Sequence, residues 1–555
     1  MEQLLKIDRG LLLAALFLAG FIVYIPALKA PFFWDDYVSV PELQPYQGAL
    51  RTESRPLRLF SFTMDSLLWR GNPAGYHFTN ILLSALAGVL AFLFLEEFFK
   101  NRAYSFMASL LFILHPAHTE AVIWIKNRTE MLFLIFFILA FLTRKKNLAL
   151  SVAMFILCTL AKETSVIFPL ILTLHIYLFE KTKKYSITAP FYLIALIRGG
   201  YALLHAEEVL GIGSAGGFFT QTSLVFNTYG FYLGKLLFPA RLLVDWQPST
   251  AFSPAALLVF LGLGGALFLP KLDKNMRFFL ALLFVSILPY SNIVFIAGRP
   301  LGEQRLFLPS LAFASALTLL AVSVVKSRPL RYSLLSLVII LYAGKTALRA
   351  REWRDPVLLW EQAEKLYPGS PRIKYNLGGI FYQKGDYARA RDYYMRALGH
   401  AENTEGYYLL AQNLALVSMR ENDLSEAERL LKGLLAVRPD DHMALYNLGL
   451  VSMKMGKYEA AAVYLEKVKK QLPNAIQIYN NLAVSYMEVG RPEAAVAVLK
   501  DAIAIDPGYE NGVYNLIVIY KKSGMKAEAL EEAGKAVRLF PYNPAFLKLY
   551  QELKV

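Results

Sequence analysis

Cysteine is almost missing. Cys158 is alone in 555 residues and lies inside an apolar run. Disulfides within the chain and cysteine-based metal sites are therefore excluded. Charge is sparse as well, at 18% of residues against 56% hydrophobic. A mean hydropathy of +0.39 is too high for an ordinary soluble chain of this length. Zinc-finger spacing, a recognition helix and a basic tail are all lacking, so the net charge of +15 is not read as a nucleic-acid footprint. In membrane proteins a basic excess collects in cytoplasmic loops.

What is present is a series of long apolar runs. Lys6 and Arg9 precede the first, residues 10–28, and "PALKAP" is a poor cleavage site, which predicts an uncleaved signal anchor. Basic clusters at Lys100/Arg102, Arg144–Lys146, Lys181–Lys184, Lys271–Arg277 and Lys326–Arg331 mark five further cytoplasmic loops. Eleven spans satisfy them, near 10–28, 77–98, 104–119, 130–142, 148–161, 165–180, 187–205, 254–270, 278–297, 307–325 and 332–348. The apolar stretch 222–238 must then lie along the outer surface or re-enter, because a full crossing would reverse every later loop.

Texture changes near residue 349, where charges begin to recur every few positions. Pro439, Pro473, Pro507 and Pro541 follow at steps of 34 residues, as do Gly456, Gly490 and Gly524, and Ala427, Ala461, Ala495 and Ala529. Asn447, Asn481 and Asn515 keep the same step. A turn glycine, a small alanine and a terminal proline at this period resemble the tetratricopeptide repeat, a helix-turn-helix unit. About five units from Pro368 and a closing helix after Pro541 are predicted, in a domain spanning 350–555 behind a membrane domain of 1–349. The predicted fold is all-α: a polytopic helix bundle followed by an α-solenoid. The repeat asparagines read as structural, with clamping of a peptide backbone as the alternative.

The outward loops carry polar residues that a simple anchor has no use for. The first contains "WDDY", with Asp35 and Asp36, then "SRPLRLFSFTMD"; the second is "HPAHTEAVIWIKNRTE" at 115–130. A tiny turn, "AKET", holds Lys162 and Glu163, and "GRPLGEQRLFLPS" holds Glu303 and Arg305. Ionisable groups at membrane depth each cost about 3 kcal/mol even on lenient scales, so several at one level suggest a site.

The order of these pieces, ending in the repeats, resembles the transmembrane and tetratricopeptide-repeat-containing proteins. That family stands with protein O-mannosyltransferases among the GT-C glycosyltransferases. The motif "GEQR" departs from the commoner "AER" but keeps Glu303 and Arg305. The resemblance implies transfer of a sugar, mannose or another hexose, from a polyprenyl-phosphate carrier to an acceptor hydroxyl. It places the central acids at Asp35 and Asp36. A carboxylate within hydrogen-bond reach of a Ser or Thr hydroxyl accepts its proton during attack, and a nearby anion steadies oxocarbenium character at the sugar. One acid serves as base, and the other orients the acceptor or, as a lesser alternative, holds a divalent metal.

Arg128, Lys162 and Arg305 are the candidate clamps for the leaving phosphate, and His77, His115, Glu120 and Glu303 complete the candidate donor site. Competing roles exist for each. The cations can pair with Glu130, Glu163 and Glu303, and the histidines can cap helix ends. A metal site from His115, His118 and Glu120 is not assigned, because that spacing suits no single helical face. The predicted partners are a lipid-linked sugar, the membrane, and a protein acceptor presented by the repeats. The predicted location is a prokaryotic inner membrane, with acids and repeats on the extracytoplasmic side. Alternatives are a lipid or glycan acceptor, or a non-catalytic scaffold.

Overall fold

Every regular element among the described residues is a helix; one isolated antiparallel bridge joins Trp246 to Leu301. The computed structural model describes residues 8–33, 36, 55–205, 217–266, 268–269, 271–293, 299–400 and 404–554. The chain divides into two compact units, Met1–Pro368 and Gly369–Val555. The division falls after Pro368 rather than at residue 349, because helix Pro356–Leu366 buries Leu359, Trp360 and Ala363 within the first unit.

Among the described residues, five helices of the first unit are long and apolar enough to cross a bilayer: Arg9–Lys29, Pro73–Leu95, Tyr185–Leu204, Glu303–Val324 and Arg328–Glu352. A sixth forms if Arg102–Ile113 and Pro116–Ile123, bent by 49° at their break, are one span. Lipid-facing surfaces show as apolar side chains turned outward, such as Leu193, Leu196, Leu337 and Ile340. The chain is a membrane protein. Of the remaining predicted spans, 130–142 lies in helix Arg128–Thr143 at 16 residues and 148–161 in helix Leu148–Ala161 at 14, both short. A complete crossing needs about 20 residues, so the eleven-span count does not follow from helix length. Segment 222–238 is helix Phe218–Leu237, outside the group that passes on length and hydropathy.

Local sequence sets the helix ends. Asn72 caps Ala74 N, Asn101 caps Ala103 N and Asp8 caps Gly10 N, while Pro56, Pro73 and Pro371 occupy first turns that need no amide donor. Helix Pro73–Leu95 has 23 residues and is therefore about 34 Å long. Beyond its far end Glu96 pairs with both Arg9 (2.6 Å) and Arg102 (3.2 Å), and Glu97 pairs with Arg144 (2.9 Å). Asn275 donates to Phe98 O at 3.2 Å, and Arg331 bonds the Tyr104 hydroxyl. Basic segments predicted to share one face thus meet at one end of the bundle. His77 and Asn80 sit near the helix's opposite end.

Among the described residues the second unit comprises five helix pairs and a closing helix. The pairs are Pro371–Gln383 with Tyr387–Leu398, Thr404–Arg420 with Leu424–Val437, His442–Lys454 with Tyr458–Gln471, Ile476–Glu488 with Pro492–Ile505, and Glu510–Lys522 with Lys526–Leu539. Pro544–Lys554 closes the array. The repeated alanines at 427, 461, 495 and 529 are fully buried, which brings paired helices close. Gly385, Gly456, Gly490 and Gly524 end the first helices at φ between 71° and 77°, and Asn422 takes that left-handed place at φ 63°. Asn481 donates to the Tyr446 hydroxyl of the preceding repeat at 3.1 Å, and Asn515 to Asn480, a structural use of the periodic amides.

Candidate active site

The first helix is followed by a 3-10 turn, Ile25–Lys29, and the chain then enters the acidic segment. Asp36 is fully buried. Its Oδ2 accepts from Phe33 N and its Oδ1 from Lys126 N, both at 2.9 Å. Lys126 lies in the 3-10 turn Ile125–Asn127, so one carboxylate ties the "WDDY" motif to "HPAHTEAVIWIKNRTE". His77 Nε2 donates to Ala30 O at 3.1 Å, which fixes its tautomer and fastens the same segment to helix Pro73–Leu95. Asp35 lies outside the described residues.

Arg128 opens helix Arg128–Thr143 and is fully buried. Its Nε donates to Asn80 Oδ1 at 2.6 Å. One terminal nitrogen reaches Ser61 O (3.2 Å) and Oγ (3.3 Å); the other reaches the Asp65 carboxylate and Tyr76 O (3.2 Å). The guanidinium also lies over the Phe62 ring at 4.8 Å and within electrostatic reach of Asp36. Its donors face protein acceptors on four sides, so it binds the outer turns to one another.

Lys162 forms a buried ion pair with Glu130 and sits 4.7 Å above the Tyr290 ring. Its neighbour Glu163 receives both a terminal nitrogen (2.6 Å) and Nε (3.1 Å) of Arg55, a bidentate pair. Glu130, Thr164, Tyr290 and Arg305 line one tight cleft beside this pair. Arg305 turns its terminal nitrogens onto the carbonyls of Pro300 and Arg299.

Glu120 and Glu303 form a third knot. Glu120 Oε2 accepts from Glu303 N (2.9 Å) and Gln304 N (3.3 Å), and Oε1 pairs with Arg299. Burial disfavours the Arg299 charge, yet Glu120 beside it holds the guanidinium above its ordinary range. Glu303 Oε1 accepts from Leu243 N (2.8 Å) and Trp246 Nε1 (2.7 Å). His115 donates through Nε2 to Leu236 O (3.1 Å) and accepts at Nδ1 from Ala117 N (3.2 Å). His118 bonds Ser310 Oγ at 2.6 Å. Among the described residues no three His, Cys, Asp or Glu side chains gather as a metal site would.

Asn80 joins the first and third groups, since its Nδ2 donates to Val122 O (3.0 Å), while Asn127 donates to Glu120 O (3.2 Å). Asp36, His77, Arg128 and Glu120 therefore belong to one hydrogen-bonded body. Lys162 and Arg305 both lie over the Tyr290 ring, at 4.7 and 5.5 Å from its centroid. The residues that complete these networks, Asp65, Asn80, Arg55, Arg299 and Tyr290, were not singled out from sequence. One signal was available: in helix Pro56–Trp69 the buried positions are Arg58, Phe62 and Asp65, a helical stripe with a charge at each end.

Tetratricopeptide-repeat models match residues 342–406, 413–476 and 476–509, which lie mostly in the second unit and begin in the last residues of the first. The chain is 24% identical over 494 residues to human protein O-mannosyl-transferase TMTC3, covering 70% of this chain and 54% of that protein. It is 26% identical to Caenorhabditis elegans protein O-mannosyl-transferase F38B6.6 (62% and 53% covered) and 26% to mouse protein O-mannosyl-transferase TMTC4 (61% and 57%). The chain thus spans about half the length of the curated relatives it matches. Among solved structures, MamA from Desulfovibrio magneticus RS-1 matches 30% of this chain and 94% of its own, at 21% identity and a TM-score of 0.29. YrrB, a repeat protein with an unusual peptide-binding site, matches 33% of this chain and 88% of its own, at 22% identity and a TM-score of 0.26. The chain is thus similar to proteins named O-mannosyl-transferases of the transmembrane and tetratricopeptide-repeat-containing family.

Proposed function

We propose that this chain is an integral-membrane glycosyltransferase that moves a hexose, mannose in the first instance, from a polyprenyl phosphate to a Ser or Thr hydroxyl of a protein. Transfer takes place on the extracytoplasmic face of a prokaryotic inner membrane, and the repeats present the acceptor. The acceptor oxygen attacks the anomeric carbon from the side opposite the phosphate. The carbon–oxygen bond to phosphate breaks, its electron pair stays on the phosphate, and the sugar configuration inverts. The hydroxyl proton passes to a carboxylate as the new bond forms.

The two acids divide the work. Asp36 is pinned through both oxygens to the amides of Phe33 and Lys126, so it shapes the loop and supplies fixed negative charge. That leaves its neighbour Asp35 as the proton acceptor. Arg128, held by Asp65 and Asn80, keeps the outer turns in place around this loop. Glu120 holds the amide of Glu303, and Glu303 holds that of Leu243, which ties these segments to one another.

The supporting observation is convergence: outer motifs far apart in sequence meet as one buried network around Asp36. The test is transfer from polyprenyl-phosphate [14C]mannose to a Ser/Thr acceptor peptide by the purified full chain. Asp35→Asn abolishes transfer with folding intact, and Asp36→Asn lowers both transfer and loop order. Parent-level transfer by both variants refutes the mechanism.

A further inference from the structure

Arg128, Lys162 and Arg305, the cations first expected to clamp phosphate, direct their donors at protein acceptors. A different set of cations converges elsewhere on the first unit. A cavity of about 420 Å3 is lined by Arg241, Lys345, Arg349 and Lys365, with Glu352, Gln362 and the apolar residues Ala240, Leu242, Leu243 and Leu366. Three separate elements supply these cations: the segment after helix Phe218–Leu237, the last turns of helix Arg328–Glu352, and helix Pro356–Leu366.

Arg349 anchors the group at 2% exposure. One terminal nitrogen holds Glu352 (2.6 Å) and Gln362 (3.0 Å), while its Nε has no hydrogen-bond partner among the described residues. Glu352 is the sole carboxylate on the wall and already serves Arg349. Among the described residues Arg241, Lys345 and Lys365 form no ion pair. A helix dipole accounts for cations in the last turn of Arg328–Glu352, but not for Arg241 and Lys365 arriving from two other elements. Glu352 offsets one of these four charges, so the wall keeps a net positive charge, and guanidinium and ammonium groups gathered from three elements are the donors that phosphate oxygens accept from.

The cavity adjoins the candidate active site. Leu243, on its wall, donates its amide to Glu303 Oε1 at 2.8 Å. The same helix end reaches the segment before Asp36: Trp353 packs on Phe33 with ring centroids 4.9 Å apart, and Arg354 Nε donates to Pro26 O at 2.8 Å.

We propose that this cavity is a phosphate-group site, with Arg349 as its fixed donor and Arg241, Lys345 and Lys365 as its mobile cations. It rests on the reading that the chain handles a polyprenyl phosphate, and it names the side chains that recognise the phosphate. The group is carried in on the lipid headgroup or arrives as free phosphate.

The experiment is calorimetric titration of the detergent-purified full chain with inorganic phosphate and, separately, farnesyl phosphate. The surface variant Arg241→Gln/Lys365→Gln is expected to raise the Kd for the bound probe about tenfold, the scale of one lost charge-assisted hydrogen bond. Arg349→Gln lowers affinity further, and if it misfolds the surface variant alone decides. Farnesyl phosphate binding at least tenfold tighter than phosphate identifies the headgroup as the source; equal affinities identify the free ion. A parent that binds neither probe, or a surface variant with parental Kd for both, overturns the site. Binding is read without turnover, so a chain that binds phosphate here but transfers no sugar refutes the proposed function and leaves the site standing. Transfer lost in Asp35→Asn with parental binding in the surface variant does the reverse.

Discussion

Replacing Asp65 by asparagine tests whether Arg128 is the internal tie that its contacts indicate. Both side chains are buried, at 0% and 3% side-chain exposure. Two unit charges with centres about 4 Å apart interact by about 4 kcal/mol at an effective dielectric of 20. Asparagine keeps an acceptor for Thr79, which donates to Asp65 Oδ1 at 2.8 Å, but leaves the guanidinium hydrogen-bonded to neutral groups alone, with Asp36 as a more distant charge. Breaking such a pair from one side costs about 3–5 kcal/mol, because the remaining charge stays buried. We expect Asp65→Asn to lose about 3 kcal/mol. The assay is reversible unfolding of the full chain in mixed micelles, with refolding checked at each point. Arg128→Met alone is equally damaging, since it strands the carboxylate. Together, Asp65→Asn and Arg128→Met remove both charges and restore part of the loss, giving a coupling of about 2–3 kcal/mol between the sites. A coupling below about 0.5 kcal/mol refutes the tie. Arg128→Met with parental stability but weakened farnesyl phosphate binding returns Arg128 to the donor phosphate.

Glu120→Gln should release Arg299 and loosen Gln304 and Glu303, costing about 2–4 kcal/mol; hydrogen exchange at 299–306 that matches the parent contradicts this. Gly456→Ala, at φ 71°, should lose about 1–2 kcal/mol of repeat stability, whereas Asn422→Gly at the equivalent turn should be neutral or stabilising, both read by denaturant unfolding of the full chain. Hydrogen bonds from Lys432 and Lys457 hold Glu428 below the usual carboxylate range, so its contribution is present at neutral pH and lost as pH falls through that lowered value. Faster exchange of 424–437 only below about pH 4 is the expected result. Removing residues 369–555 should spare binding of farnesyl phosphate and impair mannose transfer to protein acceptors; unchanged acceptor use removes the docking role.

The repeat array was legible almost residue by residue. Its period is local: each pair meets only its neighbours, so small, turn and cap positions recur at a fixed step and can be read without knowing the rest of the fold. The membrane unit was legible as apolar helices and basic loops, because lipid exposure and loop charge are one-dimensional signals. Its span count was not, since a helix of 14 or 16 residues packed among others need not match the bilayer on its own. Charged residues in the outer motifs were legible as expensive and therefore purposeful. Their partners were not, because Asp36 finds its amide at Lys126, Arg128 its carboxylate at Asp65, and Glu120 its amides at Glu303 and Gln304. Cost at membrane depth identifies which charges must be satisfied, but protein and ligand satisfy them equally well in that ledger. Only geometry separates the two. The cations in the most recognisable motifs are closed upon the protein, while Arg241, Lys345 and Lys365, which no motif marked, stand without ion pairs among the described residues around an accessible cavity. A mechanism built on motif cations alone would assign the phosphate to groups already engaged in holding the site together.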